Sequence, residues 1–215
     1  MEQTDMGTSA HASLKEKQRQ ERRTLILQMA EEILMEKGYY ETSIDEIASR
    51  VGIAKSTVYL HFPSKEDLVI AILKRDLQHL LAKIDEVTRT DATVHDKVEA
   101  ILYYAYGTIF IKRMQLLSSL YMSGDAKRHQ EKYGDTLKDL AEQLATTLSA
   151  LLEQGKTAGE FDTSIPTPIM LSAFFGLLSP RSYKHLMAYE QIGQMERDEL
   201  VSHLGRLYFK GIARL

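Results

Sequence analysis

The chain has 215 residues, enough for one or two domains with a buried core, and its 44% hydrophobic and 27% charged residues are ordinary for a globular protein. It contains no cysteine, which excludes disulfides, thiolate metal sites and cysteine nucleophiles. The net charge of −3 is not that of a generally basic protein, so a DNA-binding function must rest on locally placed basic residues.

Residues 1–14 are polar, and we expect them to form a flexible tail. They lack the basic-then-apolar order of a signal peptide, and no apolar run in the chain approaches the roughly 20 residues of a membrane span. These features predict a soluble, cytoplasmic protein with no membrane partner.

The first helix is predicted from Leu14 to Gly38, a residue suited to the left-handed cap that ends many helices. Its apolar residues recur at spacings of three and four, as on one helix face: Leu25, Ile26, Met29, Ala30, Ile33 and Leu34. A basic cluster precedes this face, formed by Lys15, Lys17, Arg19, Arg22 and Arg23. The cluster is either an arm that contacts DNA phosphates or the solvated start of a helix, and the sequence favours neither.

The next two helices are short and closely spaced. One is predicted to begin at Ser43, because Ser43 and Glu46 have the spacing of a capping box, and to end at Gly52. The other runs from about Lys55 to Phe62 and is stopped by Pro63.

The rest of the chain is also predicted to be helical. Ser64 is suited to cap a fourth helix, residues 98–122 are rich in aromatic and methionine side chains, and a long helix is expected from about Asp125 to Gln154. Gly155, Gly159 and residues 165–168 indicate a loop.

Two final helices are expected, at about Thr167 to Glu190 and Glu196 to Ala213, and Pro180 should interrupt the first of them near Ser179. No stretch alternates between apolar and polar residues as a strand would. The predicted fold is therefore all-α, with about nine helices.

The two short helices match the requirements of a helix-turn-helix. Ala48 is small enough for the second of them to pack across the first, and Gly52 tolerates the positive φ of a tight turn. In the second helix three apolar side chains can face inward, namely Ile53, Val58 and Phe62. Five polar side chains are then left to face outward as donors to phosphates and base edges: Lys55, Ser56, Thr57, Tyr59 and His61.

The residues of this region resemble the TetR family of bacterial regulators. The similar segments are GYYETSIDEIA, from Gly38 to Ala48, and VGIAKSTVYLHFPSKEDL, from Val51 to Leu68. Three residues stand at positions that are hallmarks of the family, namely Tyr59, Phe62 and Lys65. The resemblance implies a helix-turn-helix DNA-binding domain over residues 15–66 and a helical effector-binding and dimerisation domain over residues 67–215.

The resemblance also implies roles for individual residues. Lys55, Ser56 and Thr57 would meet base edges in the major groove. Tyr59, His61 and Lys65 would donate to phosphates, and Thr42 and Ser43 would place the second helix against the DNA backbone.

Two residues depart from the family pattern. Ala54 stands where the family often has a serine that caps the recognition helix, so that cap is expected to be missing. Asp45 stands where some members carry a basic DNA contact, and it is expected to face solvent.

The implied protein is a homodimer that binds double-stranded DNA. Two recognition helices about 34 Å apart would read a palindromic operator. The last two helices would form the dimer interface, although they could instead only close the core of the monomer.

A small hydrophobic or aromatic effector is the second implied partner. An apolar pocket with phenolic hydrogen-bonding groups could be lined by Tyr103, Tyr106, Phe110, Met114, Tyr121, Met122, Phe174 and Phe175. Taken one by one, these side chains fit ordinary core packing better, and only as a group do they favour a ligand pocket.

The sequence indicates no enzyme and no cofactor, and His95 and His129 are left as metal-ligand candidates only because some members of the family use a metal-bound ligand. There is no glycine-rich phosphate loop, no HExxH and no Gly-x-Ser-x-Gly, and the seven histidines are scattered. The resemblance implies a transcriptional repressor that a small effector releases from its operator. The alternative is a DNA-bound regulator that acts through protein contacts without a small ligand.

Overall fold

The computed structural model describes the backbone of residues 5–107 and 126–213. These residues form ten helices and no strand, which confirms the all-α fold. The helices are α1 Asp5–Glu41, α2 Ile44–Val51, α3 Lys55–His61, α4 Lys65–Thr88, α5 Val94–Gly107, α6 Ala126–Thr157, α7 Thr167–Leu177, α8 Pro180–Met187, α9 Glu190–Gly193 and α10 Arg197–Ile212. None of the described helices has an apolar stretch long enough to cross a bilayer.

The chain divides into two compact units, Met1–Ile72 and Leu73–Leu215. The sequence placed this boundary after Glu66. The first compact unit itself continues to Ile72 and includes the first turns of α4, where Leu68 and Val69 are buried.

Helix α1 is longer than the sequence predicted. It begins at Asp5, so most of residues 1–14, expected to be a flexible tail, lie in the helix. This segment contains Ala10, Ala12 and Leu14 and no proline, so it offers no barrier to extending the helix towards the N-terminus. The break expected at Gly38 is present, since this residue has a φ of 82° and a ψ of 176°, but helical turns resume as far as Glu41.

The core of the first unit joins the apolar faces of α1, α2 and α3. Its buried side chains include Ile26, Ala30, Ile33, Leu34, Ile44, Ile47, Ala48, Val58 and Phe62. These are largely the periodic apolar residues of the sequence, so local periodicity was sufficient to predict this core.

In the second unit, α5 contacts α6 and α10, and α7 contacts α6 and α10. Buried side chains from these helices form its core, among them Ile101, Leu102, Leu144, Leu148, Leu151, Phe174 and Tyr208. The N-terminus of α5 is capped from a distance, because the Glu160 carboxylate accepts hydrogen bonds from the backbone N–H groups of Val94 (3.0 Å) and His95 (2.8 Å).

Two helix boundaries in this unit differ from the prediction. Gly155 was expected in a loop, but α6 continues through it to Thr157. The ring of Phe161 lies directly against this glycine, so the glycine serves close packing rather than a turn. Pro180 does interrupt the long helix expected from Thr167, which is divided into α7, α8 and α9.

Candidate nucleic-acid interface

The start of α2 is fixed by side-chain hydrogen bonds. Ser43 is its N-cap, and its Oγ accepts a hydrogen bond from the N–H of Glu46 at 3.2 Å. The Glu46 carboxylate, expected to complete the capping box, instead accepts from Lys37 Nζ at 2.7 Å. Thr42 is buried, and its hydroxyl donates to the Gly38 carbonyl at 2.7 Å. Both Ser43 and Thr42 were predicted to face the DNA backbone. Ser43 is exposed, whereas Thr42 is buried and stabilises the segment before α2.

The turn between α2 and α3 depends on Gly52. This residue has a φ of 75° and a ψ of 34°, a left-handed conformation that glycine adopts without steric cost. The turn is closed by the N–H of Ile53, which donates to the Ala48 carbonyl at 3.0 Å. Ala54 is the N-cap of α3 and gives it no side-chain hydrogen bond, which confirms the expected missing cap.

Helix α3 is anchored by one face and presents the other to solvent. Val58 and Phe62 are buried, whereas Lys55 and Ser56 are exposed and Tyr59 keeps 42% of its surface. Thr57 and His61 are half-buried. A shallow concavity of about 330 Å³ lies beside this face, and five of the predicted DNA-binding residues line it: Thr42, Ser43, Lys55, Tyr59 and Lys65.

Lys55 is paired within the protein. Its Nζ donates to Asp45 Oδ2 at 2.7 Å, and both side chains are exposed. This hydrogen bond raises the pKa of Lys55, so the ammonium stays charged at neutral pH. Asp45 is exposed, as expected from the sequence, but it also neutralises the cation that opens the recognition helix.

We expect Asp45→Asn to raise the affinity for a selected DNA site by about three- to tenfold at low salt. The substitution removes the partner of Lys55 and one negative charge beside the predicted DNA-binding residues. Fluorescence anisotropy over a series of salt concentrations measures this effect, with Asp139→Asn on α6 as the charge-matched control. A fall in affinity would instead mean that Asp45 holds Lys55 in the orientation that contacts the bases.

Lys65, which was predicted to bind a phosphate, has a structural role within the fold. Its Nζ donates to the backbone carbonyls of Tyr39 at 2.7 Å and Thr42 at 2.9 Å, and it lies 4.1 Å from the centroid of the Tyr39 ring. Burial lowers the pKa of Lys65. Two of the three ammonium hydrogens are thus used to fix the segment before α2, which leaves one for a phosphate.

His61 faces the basic cluster of α1. It is half-buried, and burial, followed by the charges of Arg19, Arg22 and Arg23, lowers its pKa, so the neutral ring prevails at neutral pH. The Arg23 guanidinium lies 4.7 Å from the centroid of the neighbouring Phe62 ring. The positive charge at this end of α3 therefore comes from the α1 arginines rather than from His61.

Replacing Arg19 and Arg22 by alanine should flatten the salt dependence of DNA binding. Each lost phosphate contact lowers the slope of log affinity against log salt by about 0.9, so the pair should lower it by about two per protomer. A titration at several salt concentrations measures the slope, with Lys138→Ala combined with Lys210→Ala in the second unit as the charge-matched control. An unchanged slope would identify the cluster as a solvated part of α1.

The described residues of the predicted effector pocket are occupied in packing or at the surface. Tyr106 is buried and its hydroxyl donates to the Leu177 carbonyl at 2.5 Å. Phe174 is buried against Phe175 and Tyr208, with ring centroids 6.2 Å and 5.7 Å apart. Tyr103 is exposed and its hydroxyl donates to Asp198 at 2.8 Å. The other four predicted residues lie outside the described part of the chain: Phe110, Met114, Tyr121 and Met122.

Sequence reasoning overlooked Leu60. Its exposed fraction of 78% is the highest among the large apolar side chains that the structure describes. The signal was present, because a helix turns by about 100° per residue, so a residue midway between the inward-facing Val58 and Phe62 must point away from the core.

Comparison with known proteins relates the chain to transcription regulators. The sequence profile described as "Bacterial regulatory proteins, tetR family" matches residues 26–72, which end where the first unit ends. The HTH-type transcriptional repressor KstR2 of Rhodococcus jostii (strain RHA1) is 25% identical over 195 residues, or 89% of this chain and 91% of the relative.

Two solved structures share the fold over most of the chain. A transcriptional regulator of the TetR/AcrR family from Thermobifida fusca YX-ER1 is 26% identical, with a TM-score of 0.68 over 90% of this chain and 100% of that one. The regulator FadR from Bacillus subtilis, in complex with stearoyl-CoA, is 19% identical, with a TM-score of 0.66 over 88% and 98% of the two chains. The chain is thus similar to regulators of transcription in both of its units.

Proposed function

We propose that the chain, whose residues 26–72 match the tetR family of bacterial regulatory proteins, represses transcription by binding a palindromic operator as a homodimer. The observation that carries this proposal is the two-sided character of α3. Val58 and Phe62 hold the helix to the core, while Lys55, Ser56 and Tyr59 are exposed for contact with a duplex. Binding to a chromosomal operator requires the cytoplasmic location expected from the sequence.

The homodimer is proposed to form through the last helices. On α7, Ile169, Ala173 and Gly176 are exposed at spacings of four and three, which place them on one face. On α10, Leu207 and Gly211 share an exposed face in the same way. Ile169 and Leu207 keep 60% and 69% of their surfaces, which favours burial of these faces against a second copy.

The effector is proposed to be a small hydrophobic molecule. FadR from Bacillus subtilis, a regulator of similar fold, was solved in complex with stearoyl-CoA, a molecule with a hydrophobic acyl chain. This similarity supports a ligand-responsive repressor over a regulator that acts through protein contacts alone. A thermal-shift screen of hydrophobic compounds separates the two, because only the ligand-responsive repressor would be stabilised by a compound that also releases DNA.

Selection of bound sites from random duplex DNA at a stated salt concentration tests the function. We expect a palindrome whose half-sites are centred about 34 Å apart, or a multiple of that spacing, because each copy presents one recognition helix. Recovery of no preferred sequence would contradict the proposal. Recovery of a single, non-repeated half-site would support sequence-specific DNA binding but contradict binding as a homodimer.

A further inference from the structure

The most exposed side chain of the recognition helix is apolar. Leu60 lies opposite the buried pair Val58 and Phe62, so it projects from the middle of the solvent face of α3. Ser56 and Thr57 precede it by one helical turn and lie on the same side of the helix. The outermost stripe of α3 therefore combines one leucine with two hydroxyl side chains.

An apolar side chain at this place suits one group on DNA. The base edges of the major groove carry donors and acceptors, and the C5-methyl of thymine is their one apolar group. A leucine that enters the groove beside a guanine, cytosine or adenine edge would desolvate polar atoms without returning a hydrogen bond. Against a thymine methyl it removes apolar surface from water on both partners.

We propose that Leu60 selects thymine by contacting its C5-methyl in each half-site. This inference rests on the proposed function, and it adds a specificity-determining residue that carries no charge. Ser56 and Thr57 are left to donate or accept at neighbouring base edges, so the stripe would read a thymine flanked by polar contacts.

Replacing thymine by deoxyuridine in the selected site tests the proposal, because this exchange removes only the methyl group. Burying one methyl corresponds to about a fourfold change in affinity, so the exchange in both half-sites should weaken the parent protein about fifteenfold. Leu60→Ala should respond to the same exchange by less than about twofold, whereas Leu60→Met should stay close to the parent.

The outcomes separate this inference from the function on which it rests. Specific binding by the parent that is indifferent to deoxyuridine at every position would overturn the role of Leu60 and leave the repressor intact. Equal sensitivity of the parent and Leu60→Ala would overturn it as well. Absence of any sequence-specific binding by the parent would overturn both.

Discussion

Replacing Lys55 and Tyr59 together by alanine should lower the affinity for the selected operator by at least about a hundredfold. The two side chains are exposed neighbours on one turn of α3 and line the same concavity. Each is expected to donate to a base edge or a phosphate, and a homodimer loses both contacts twice. Anisotropy titration of labelled operator at fixed salt measures the loss.

The double variant should keep its fold, because neither side chain contributes to the buried core. Its thermal unfolding and helical circular dichroism should match those of the parent. A matched control combines Lys138→Ala with Tyr189→Ala, which removes an exposed lysine and an exposed tyrosine from the second unit. If the affinity of the Lys55/Tyr59 variant for the operator were within about threefold of the parent's, α3 would not be the recognition helix.

Phe161→Ala should lower the free energy of unfolding by about 3–5 kcal/mol, the usual cost of removing a fully buried phenylalanine. Phe161 is 2% exposed, stacks near Phe209 with ring centroids 6.4 Å apart, and lies against Gly155. A Cβ on Gly155 would fall 2.4 Å from two atoms of that ring. Gly155→Ala alone should therefore also destabilise the protein, by about 1–3 kcal/mol.

The two substitutions should not be additive. Once the ring is absent, the three atoms closest to a Cβ at position 155 are removed, and alanine contributes its better helix propensity, worth about 1 kcal/mol. Gly155→Ala should thus become neutral or stabilising in the Phe161→Ala background, as measured by urea unfolding. Gly193→Ala is the control, since its Cβ would meet only the Met187 carbonyl at 3.7 Å. Equal effects of Gly155→Ala in both backgrounds would refute the steric account.

The helix-turn-helix could be predicted closely from sequence because its signals are local. Ser43, Gly52 and Pro63 each act on backbone within a few residues, and they set the ends of α2 and α3 where the structure has them. The pairing of Lys55 with Asp45 was not predicted, since it joins two helices across the turn and depends on how they pack.

In the rest of the chain, local sequence signals were not sufficient to predict the structure. Gly155 has the residue type of a helix end, but the helix continues through it, and the Phe161 ring packed against it explains why this position needs a residue without a side chain. The aromatic residues of the predicted pocket pose the same problem, because Tyr106 and Phe174 have the composition of a ligand site and lie in the core. Apolar composition alone cannot distinguish a packed interior from a cavity.

The ion pair between Lys55 and Asp45 bears on how the protein would search a chromosome. DNA of random sequence must displace the Asp45 carboxylate before it can bind Lys55. Such DNA offers the lysine only phosphate oxygens as new partners. A target site offers base acceptors as well. A genome contains roughly 10⁶–10⁹ competing non-specific positions. Because the Asp45 carboxylate competes with phosphates for Lys55, it would reduce the fraction of the regulator bound to non-specific DNA and leave more of it for the operator.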